Sequence, residues 1–323
     1  MGVPFDFIEQ FAELLLSYYT MKRAKIKTKI TTLKGEIVMA KSKVETRSAL
    51  VTGAGSGLGF ATAKMLKEQG WKVYGTIIEG QSDEELKRLG IIPIVVNIAD
   101  HKQTDSAREF VAKDLNGDGL SALINVAGIA GPGGGLLEGI SPEDAQLTFD
   151  VNIGGTLNMV RSFLPLLRKY GPARIVNVSA GVRTPAVFTG AYLVSKFAVE
   201  GITNVLRYEM KPFGIQATSI EPAGMKTPMT ANPIENQKKT WDKMGKEIYD
   251  VYYEKISPSL NYINSVIDKS DEPKDVAAVI VRALNAKNMK IRYMADSVAW
   301  QAGLQRFFGE NKFESMIQKG MKL

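Results

Sequence analysis

The sequence has no cysteine and only one histidine among its 323 residues. Without thiols there is no disulfide framework, no thiolate nucleophile and no cysteine metal site, which fits a reducing compartment. His101 alone excludes an imidazole-based metal cluster, and it reads as a solvated residue at a helix start. No Gly-x-Ser-x-Gly elbow exists, so a Ser-His-acid hydrolase is excluded too. Long apolar runs are also missing. Residues 5–21 are apolar and aromatic, but Asp6, Glu9 and Glu13 interrupt them, leaving a run too short and too charged to span a bilayer. Those acids argue against a mitochondrial transit peptide, and no small-residue cleavage site follows the apolar part.

Net charge is +7, and its placement is uneven. Residues 1–47 carry nine Lys/Arg against five Asp/Glu, a net +4, which leaves +3 for the rest. The body is nearly neutral, with no basic stripe interleaved with aromatics, so a nucleic-acid partner is not expected. Residues 5–34 pair an apolar stretch with a basic tract, and two readings stay open. The segment lies on an anionic membrane surface as a peripheral contact, or it docks on the protein's own body or a second subunit. A cytoplasmic protein is the expected setting, with peripheral membrane association under the first of these readings.

From residue 47 onward short β-branched runs alternate with longer helical stretches. Strands are expected at 49–52, 72–78, 93–98, 122–125, 174–179 and 215–221, with an edge strand at 290–293. Helices are expected at 60–69, 103–115, 142–170 (broken near Asn152), 192–211 and 275–286. Alternating strands and helices imply βαβ crossovers, hence an α/β fold with one doubly wound, Rossmann-type parallel sheet covered on both faces. Residues 1–46 form an appendage and 47–323 a single domain. Within it, 222–270 is rich in Pro, Asn, Lys and Tyr and reads as an insertion that folds over a site.

The first strand runs into Thr52-Gly53-Ala54-Gly55-Ser56-Gly57-Leu58-Gly59 and then a helix. Glycines permit a tight turn and close approach to a pyrophosphate, and the helix N-terminus favours the negative charge. A glycine cluster can be a mere turn, but strand-turn-helix is the context that a dinucleotide requires. Gly53, Ser56, Gly57, Leu58 and Gly59 are therefore candidate cofactor contacts.

Tyr192 and Lys196 project from one helix face at a four-residue spacing. Alone the pair is uninformative, because eleven tyrosines in a chain with 41 basic residues give about one such pair by chance. Ser179, Asn152 and Asn125-Val126-Ala127-Gly128 lie upstream at strand and helix ends. Together these marks resemble the short-chain dehydrogenase/reductase family over roughly residues 47–295, and most closely its retinol, hydroxysteroid and 3-hydroxybutyrate dehydrogenase branch.

The resemblance implies an NAD(P)-dependent oxidoreductase that interconverts an alcohol and a carbonyl compound. Tyr192 is then the acid/base. A free phenol titrates near 10 and is a poor base, so the Lys196 ammonium and the positive charge of the oxidised nicotinamide are together expected to lower it. The family further implies that Lys196 binds the nicotinamide ribose, that Ser179 holds the substrate oxygen, and that Asn152 holds a proton-relaying water. Asn125, Ala127 and Gly128 meet the cofactor after the fourth strand, with Val126 replacing the usual second asparagine. Pro222 and Thr227 meet it after the sixth, although Ala223 displaces the loop's usual glycine by one position. Asn97 and Ile98 occupy the adenine-contact positions.

Ile77 stands where NAD-specific relatives carry an acid, with Glu79 two residues later and no cation nearby for a 2′-phosphate, so NAD is favoured and NADP stays open. Arg183, Val187, Phe188, Met225 and Met229 are candidate substrate contacts. They suit a lipophilic secondary alcohol or ketone, steroid- or retinoid-like, while Arg183 keeps a 3-hydroxy acid in play. A cofactor-sensing protein without turnover is the rival from another class. A homodimer or homotetramer is expected, because long helices pair across subunits in relatives.

Overall fold

The computed structural model describes residues 47–131, 134–180, 187–222, 225–227, 233–267 and 271–294, and a few positions between 309 and 319. The chain divides into two units, Met1–Glu45 and Thr46–Leu323. The first, with the expected membrane or docking segment, lies outside the described residues.

Seven strands form one sheet in the order β3-β2-β1-β4-β5-β6-β7, and every neighbouring pair is parallel. They are β1 (Ser48–Val51), β2 (Lys72–Ile77), β3 (Ile92–Val95), β4 (Ala122–Asn125), β5 (Arg174–Val178), β6 (Gln216–Glu221) and β7 (Arg292–Met294). Helices cross between them: α1 (Gly57–Glu68), α2 (Glu84–Arg88), α3 (His101–Asp114), α4 (Pro142–Phe149), α5 (Gly155–Tyr170), α6 (Gly190–Glu209), α7 (Pro233–Met244), α8 (Lys246–Ile267) and α9 (Pro273–Asn285).

The period-two geometry of strands sorts side chains to opposite faces. Ala49 and Val51 join Leu58, Leu66, Val276 and Ile280 under α1 and α9. Leu50 joins Val111, Met159, Phe163 and Leu206 under α3, α5 and α6. Each fully buried side chain of this size contributes about 1.5–3 kcal/mol, so these two layers carry the fold. A third, smaller cluster around Trp241, Ile256 and Leu260 belongs to the α7–α8 hairpin.

The expected strands and the long helices appear within a few residues of their expected bounds. His101 does open a helix, with Asp100 accepting from Lys102 and Gln103 backbone N–H groups as the N-cap. The expected break near Asn152 is a π-turn at Asp150–Gly154. The substrate-side insertion holds more order than its sequence promised, because α7 and α8 form a hairpin turned at Gly245, whose φ is +89°.

Candidate active site

Parallel strands end at one edge of the sheet, and the order reverses between β1 and β4. The chain therefore diverges there into a crevice suited to a ligand. The glycine turn leaves β1 at this point. Gly53 and Gly57 have φ of +66° and +54°, which favours glycine, and Cβ on Gly59 would stand 2.1 Å from the Gly53 carbonyl oxygen. Ser56 precedes α1 in an extended conformation and makes no side-chain cap hydrogen bond. Leu58 is buried beneath the turn. Such a bare, side-chain-free turn at a helix start fits a dinucleotide pyrophosphate.

The post-β4 loop is stitched to that turn. Thr52 Oγ1 accepts from the backbone N–H groups of Val126 at 2.9 Å and Ala127 at 3.0 Å. Cβ on Gly53 would meet Ala127 Cα at 3.1 Å, so the two segments touch backbone to backbone. Cβ on Gly57 would meet Thr227 Cγ2 at 3.4 Å, which brings the post-β6 loop to the same turn, behind the buried Pro222. Asn125 behaves differently. Its side chain donates to Asn177 Oδ1 at 2.8 Å inside the sheet layer, so only its backbone faces the crevice edge.

At the end of β2, Ile77 is buried and Glu79 is exposed. Gln81 folds back so that its Oε1 accepts from the Ile78 N–H at 3.2 Å, and this oxygen lies 2.7 Å from where Cβ of Gly55 would be. Nothing in the sequence marks Gln81 as part of the turn. Asn97 caps its own loop by accepting from the Ala99 N–H at 3.1 Å, and Ile98 is buried against Gly155.

The four expected catalytic residues come from three places: Asn152 from the π-turn, Ser179 from the end of β5, and Tyr192 and Lys196 from α6. The π-turn puts the Asn152 side chain inward, where its Oδ1 accepts from the Ile129 N–H at 2.8 Å. Its Nδ2 donates to Ile129 O and to Ser195 Oγ, both at 2.9 Å. Ser195 in turn donates to the Tyr192 carbonyl at 2.6 Å. Both amide protons of Asn152 are thus committed to protein partners, so its side chain braces the start of α6 and has only Oδ1 lone-pair capacity left for a water. Ser195, wholly buried within Tyr-x-x-Ser-Lys, was missed as a functional residue, although its place in the motif is a signal.

Lys196 Nζ lies 5.8 Å from the Tyr192 ring centroid and donates to Val178 O at 3.1 Å, the residue before Ser179. Cβ on Gly128 would meet Asn152 Oδ1 at 3.0 Å and Lys196 Nζ at 3.3 Å, so the post-β4 loop abuts both groups and no side chain fits between them. Among the described residues Ser179 Oγ makes long contacts, 3.3 Å to Ile220 O and 3.4 Å to Ala180 O, which a substrate oxygen could replace.

Burial pushes the Tyr192 phenol up to about 12 and lowers Lys196 to about 8, because desolvation penalises the charged form of each.

Among the substrate candidates, Val187 and Phe188 sit together against the α7–α8 cluster, with Phe188 and Trp241 centroids 4.8 Å apart. Phe188 has φ of +68°, strained for a side-chain-bearing residue, and its carbonyl accepts from the Gly135 N–H at 3.1 Å. Met225 packs against the sheet core. Arg183 and Met229 lie outside the described residues. Among the described residues no group of acids or histidine forms a metal site.

A short chain dehydrogenase profile matches residues 47–238, more than half of the chain. The chain belongs to the short-chain dehydrogenase family. It is therefore an oxidoreductase of a family that uses NAD(P). It is 31% identical over 271 residues to retinol dehydrogenase 16 of Mus musculus, covering 81% of this chain and 84% of that protein. It is 32% identical to 17-beta-hydroxysteroid dehydrogenase type 6 of Rattus norvegicus over 81% of this chain and 84% of that one. To the mitochondrial D-beta-hydroxybutyrate dehydrogenase of Rattus norvegicus it is 30% identical, covering 80% and 79%. In structure it is similar to a short chain dehydrogenase from Burkholderia cenocepacia J2315 in complex with NADP, with a TM-score of 0.65 and 23% identity over 84% of this chain and 98% of that one. Among the described residues no helix is long and apolar enough to cross a membrane.

Proposed function

We propose that this short-chain dehydrogenase interconverts a lipophilic secondary alcohol, steroid- or retinoid-like, and its ketone. The observation that carries the reading is the wall beside the acid/base. Phe188 stands four residues before Tyr192 and is clamped by Trp241 of a hairpin whose facing side is apolar and aromatic. A flat hydrocarbon gains more from such a wall than a small polar acid does. The retinol and hydroxysteroid relatives favour a lipophilic alcohol, and the hydroxysteroid one a secondary alcohol.

Bound NAD(P) supplies the hydride acceptor for oxidation or the donor for reduction. Ser179 Oγ orients the substrate oxygen. In oxidation the Tyr192 phenolate takes the hydroxyl proton, and in reduction the phenol returns it. Lys196, tied to Val178, keeps a positive charge beside the phenol below about pH 8. Asn152 braces the helix that carries both through Ser195. NAD is favoured over NADP, because Glu79 at the end of β2 repels a 2′-phosphate and no basic residue lies between 77 and 83.

A homo-oligomer through α6 is part of the proposal. Val194, Phe197, Val205 and Tyr208 form an exposed stripe at helical spacing, and nothing lies within 4 Å of a Cβ on Gly201 in its middle.

The test is a panel of steroids, retinoids and 3-hydroxy acids offered with NAD and with NADP. Turnover of the first two classes with NAD is expected. Turnover confined to 3-hydroxy acids would move the substrate class to that of the hydroxybutyrate relative. Tight NADH binding with no turnover on any compound would instead favour a sensing role.

A further inference from the structure

Outside the site, one charged cluster is buried without a part in the chemistry. Glu221, at the end of β6, is wholly buried, and Glu200 on α6 is almost so. The same atom, Arg292 Nε on β7, reaches Glu200 Oε2 at 2.7 Å and Glu221 Oε1 at 3.1 Å. Two desolvated carboxylates sharing one guanidinium is a costly arrangement for a surface edge, where an apolar strand would stabilise as well. Placement gives it a use. Glu200 lies one helical turn after Lys196 on the same face of α6. Glu221 is the last residue before Pro222 and the loop that carries Thr227 to the glycine turn.

β7 is only three residues long, yet it is held from β6 at several points. Thr218 Oγ1 donates to Lys290 O at 2.8 Å, and Gln216 Oε1 accepts from the Met289 N–H at 2.7 Å. The strand is therefore anchored without the two carboxylates, and the Arg292 pairs are additional to its attachment.

We propose that Arg292 is a positioning residue for the reaction: it clamps the helix bearing Tyr192 and Lys196 to the strand end from which the Thr227 loop departs. This rests on the oxidoreductase reading above. The clamp fixes the acid/base relative to the cofactor-side loop, so its loss is felt in turnover before it is felt in cofactor affinity.

The experiment compares wild type with Arg292→Leu, Arg292→Lys and Glu200→Gln, each assayed well below its own melting temperature with NAD and a secondary alcohol that the wild type oxidises. Arg292→Leu is expected to lower kcat tenfold or more, while the Kd for NADH, read by fluorescence, changes less than threefold. Arg292→Lys is expected to recover most of kcat, and Glu200→Gln to fall between. Hydrogen exchange provides a readout free of turnover, so that failure of the functional reading stays distinguishable from failure of the clamp. In Arg292→Leu, faster exchange is expected to spread from β7 into the first turns of α6 and into residues 222–227. Faster exchange confined to residues 290–294, with kcat unchanged, would overturn the proposal. If Arg292→Leu does not fold, Glu200→Gln decides: wild-type kcat and α6 exchange in that variant would equally overturn it.

Discussion

The two sides of the cleft are built by different physics. On the cofactor side the structure is made of backbone: Gly53, Gly57, Gly59 and Gly128 are placed where a Cβ would strike a carbonyl, a neighbouring loop or a catalytic group. On the substrate side it is made of large side chains, with Trp241 meeting Phe188, Tyr249 and Tyr253 at centroid distances of 4.8, 5.3 and 5.8 Å. A backbone-built wall tolerates no variation in what it binds, whereas a wall of side chains can be recut. The general cofactor class is accordingly fixed where the particular substrate is not.

The sharpest way to break this contrast is Gly59→Ala. A methyl group 2.1 Å from the Gly53 carbonyl forces the turn open, so a loss of about 3 kcal/mol in urea denaturation is expected, with NADH binding abolished. Wild-type affinity in that variant would refute the backbone account. Next in size, Tyr192→Phe should lower kcat by about 10²–10⁴-fold while NADH still binds. Retained turnover would remove Tyr192 from the chemistry.

The pH profile sharpens the same point. Lys196 loses its proton as pH rises through about 8, below its ordinary value, whereas the phenol stays protonated until about 12. Ketone reduction, which needs both protons, should hold its kcat below pH 8 and fall above it, and oxidation should climb with pH. A reduction rate that is flat to pH 10 would contradict the assignment to Lys196.

On the substrate side, Trp241→Ala removes the centre of the hairpin's own core. By the usual cost of an aromatic truncation it should loosen α7 and α8 by about 3 kcal/mol and raise the substrate KM about tenfold or more, leaving NADH affinity alone. A parallel loss of NADH affinity would show that the two sides are not independent. Smallest of all, Tyr252→Phe deletes one hydrogen bond to Glu138 at the hairpin rim and should cost about 1 kcal/mol, visible as a few-fold rise in KM.

The same contrast explains what could be read in advance. Strands such as Arg174–Val178 and the turn at Gly53–Gly59 carry local signals, namely β-branched runs and a glycine cluster, so the sheet and the glycine turn were legible. Tyr192, Lys196, Ser179 and Asn152 were legible only jointly, through order and spacing. The hairpin was not. Pro258 interrupts α8, and the apolar face is spread over Trp241, Ile256 and Leu260 rather than repeated aliphatics. Gln81 and the Arg292 cluster were invisible for another reason: their partners are distant in sequence or depend on a fold-back that no local pattern encodes.

One small feature reaches further than its size. Because a single hydroxyl oxygen, that of Thr52, accepts the amide protons of both Val126 and Ala127, the phosphate-side turn and the loop that abuts Asn152 and Lys196 form one mechanical piece. Neither can be displaced alone. A tug on the turn is transmitted to Asn152 and Lys196 with no hinge in between, and the isosteric change Thr52→Val would uncouple the two while leaving every charged group in place.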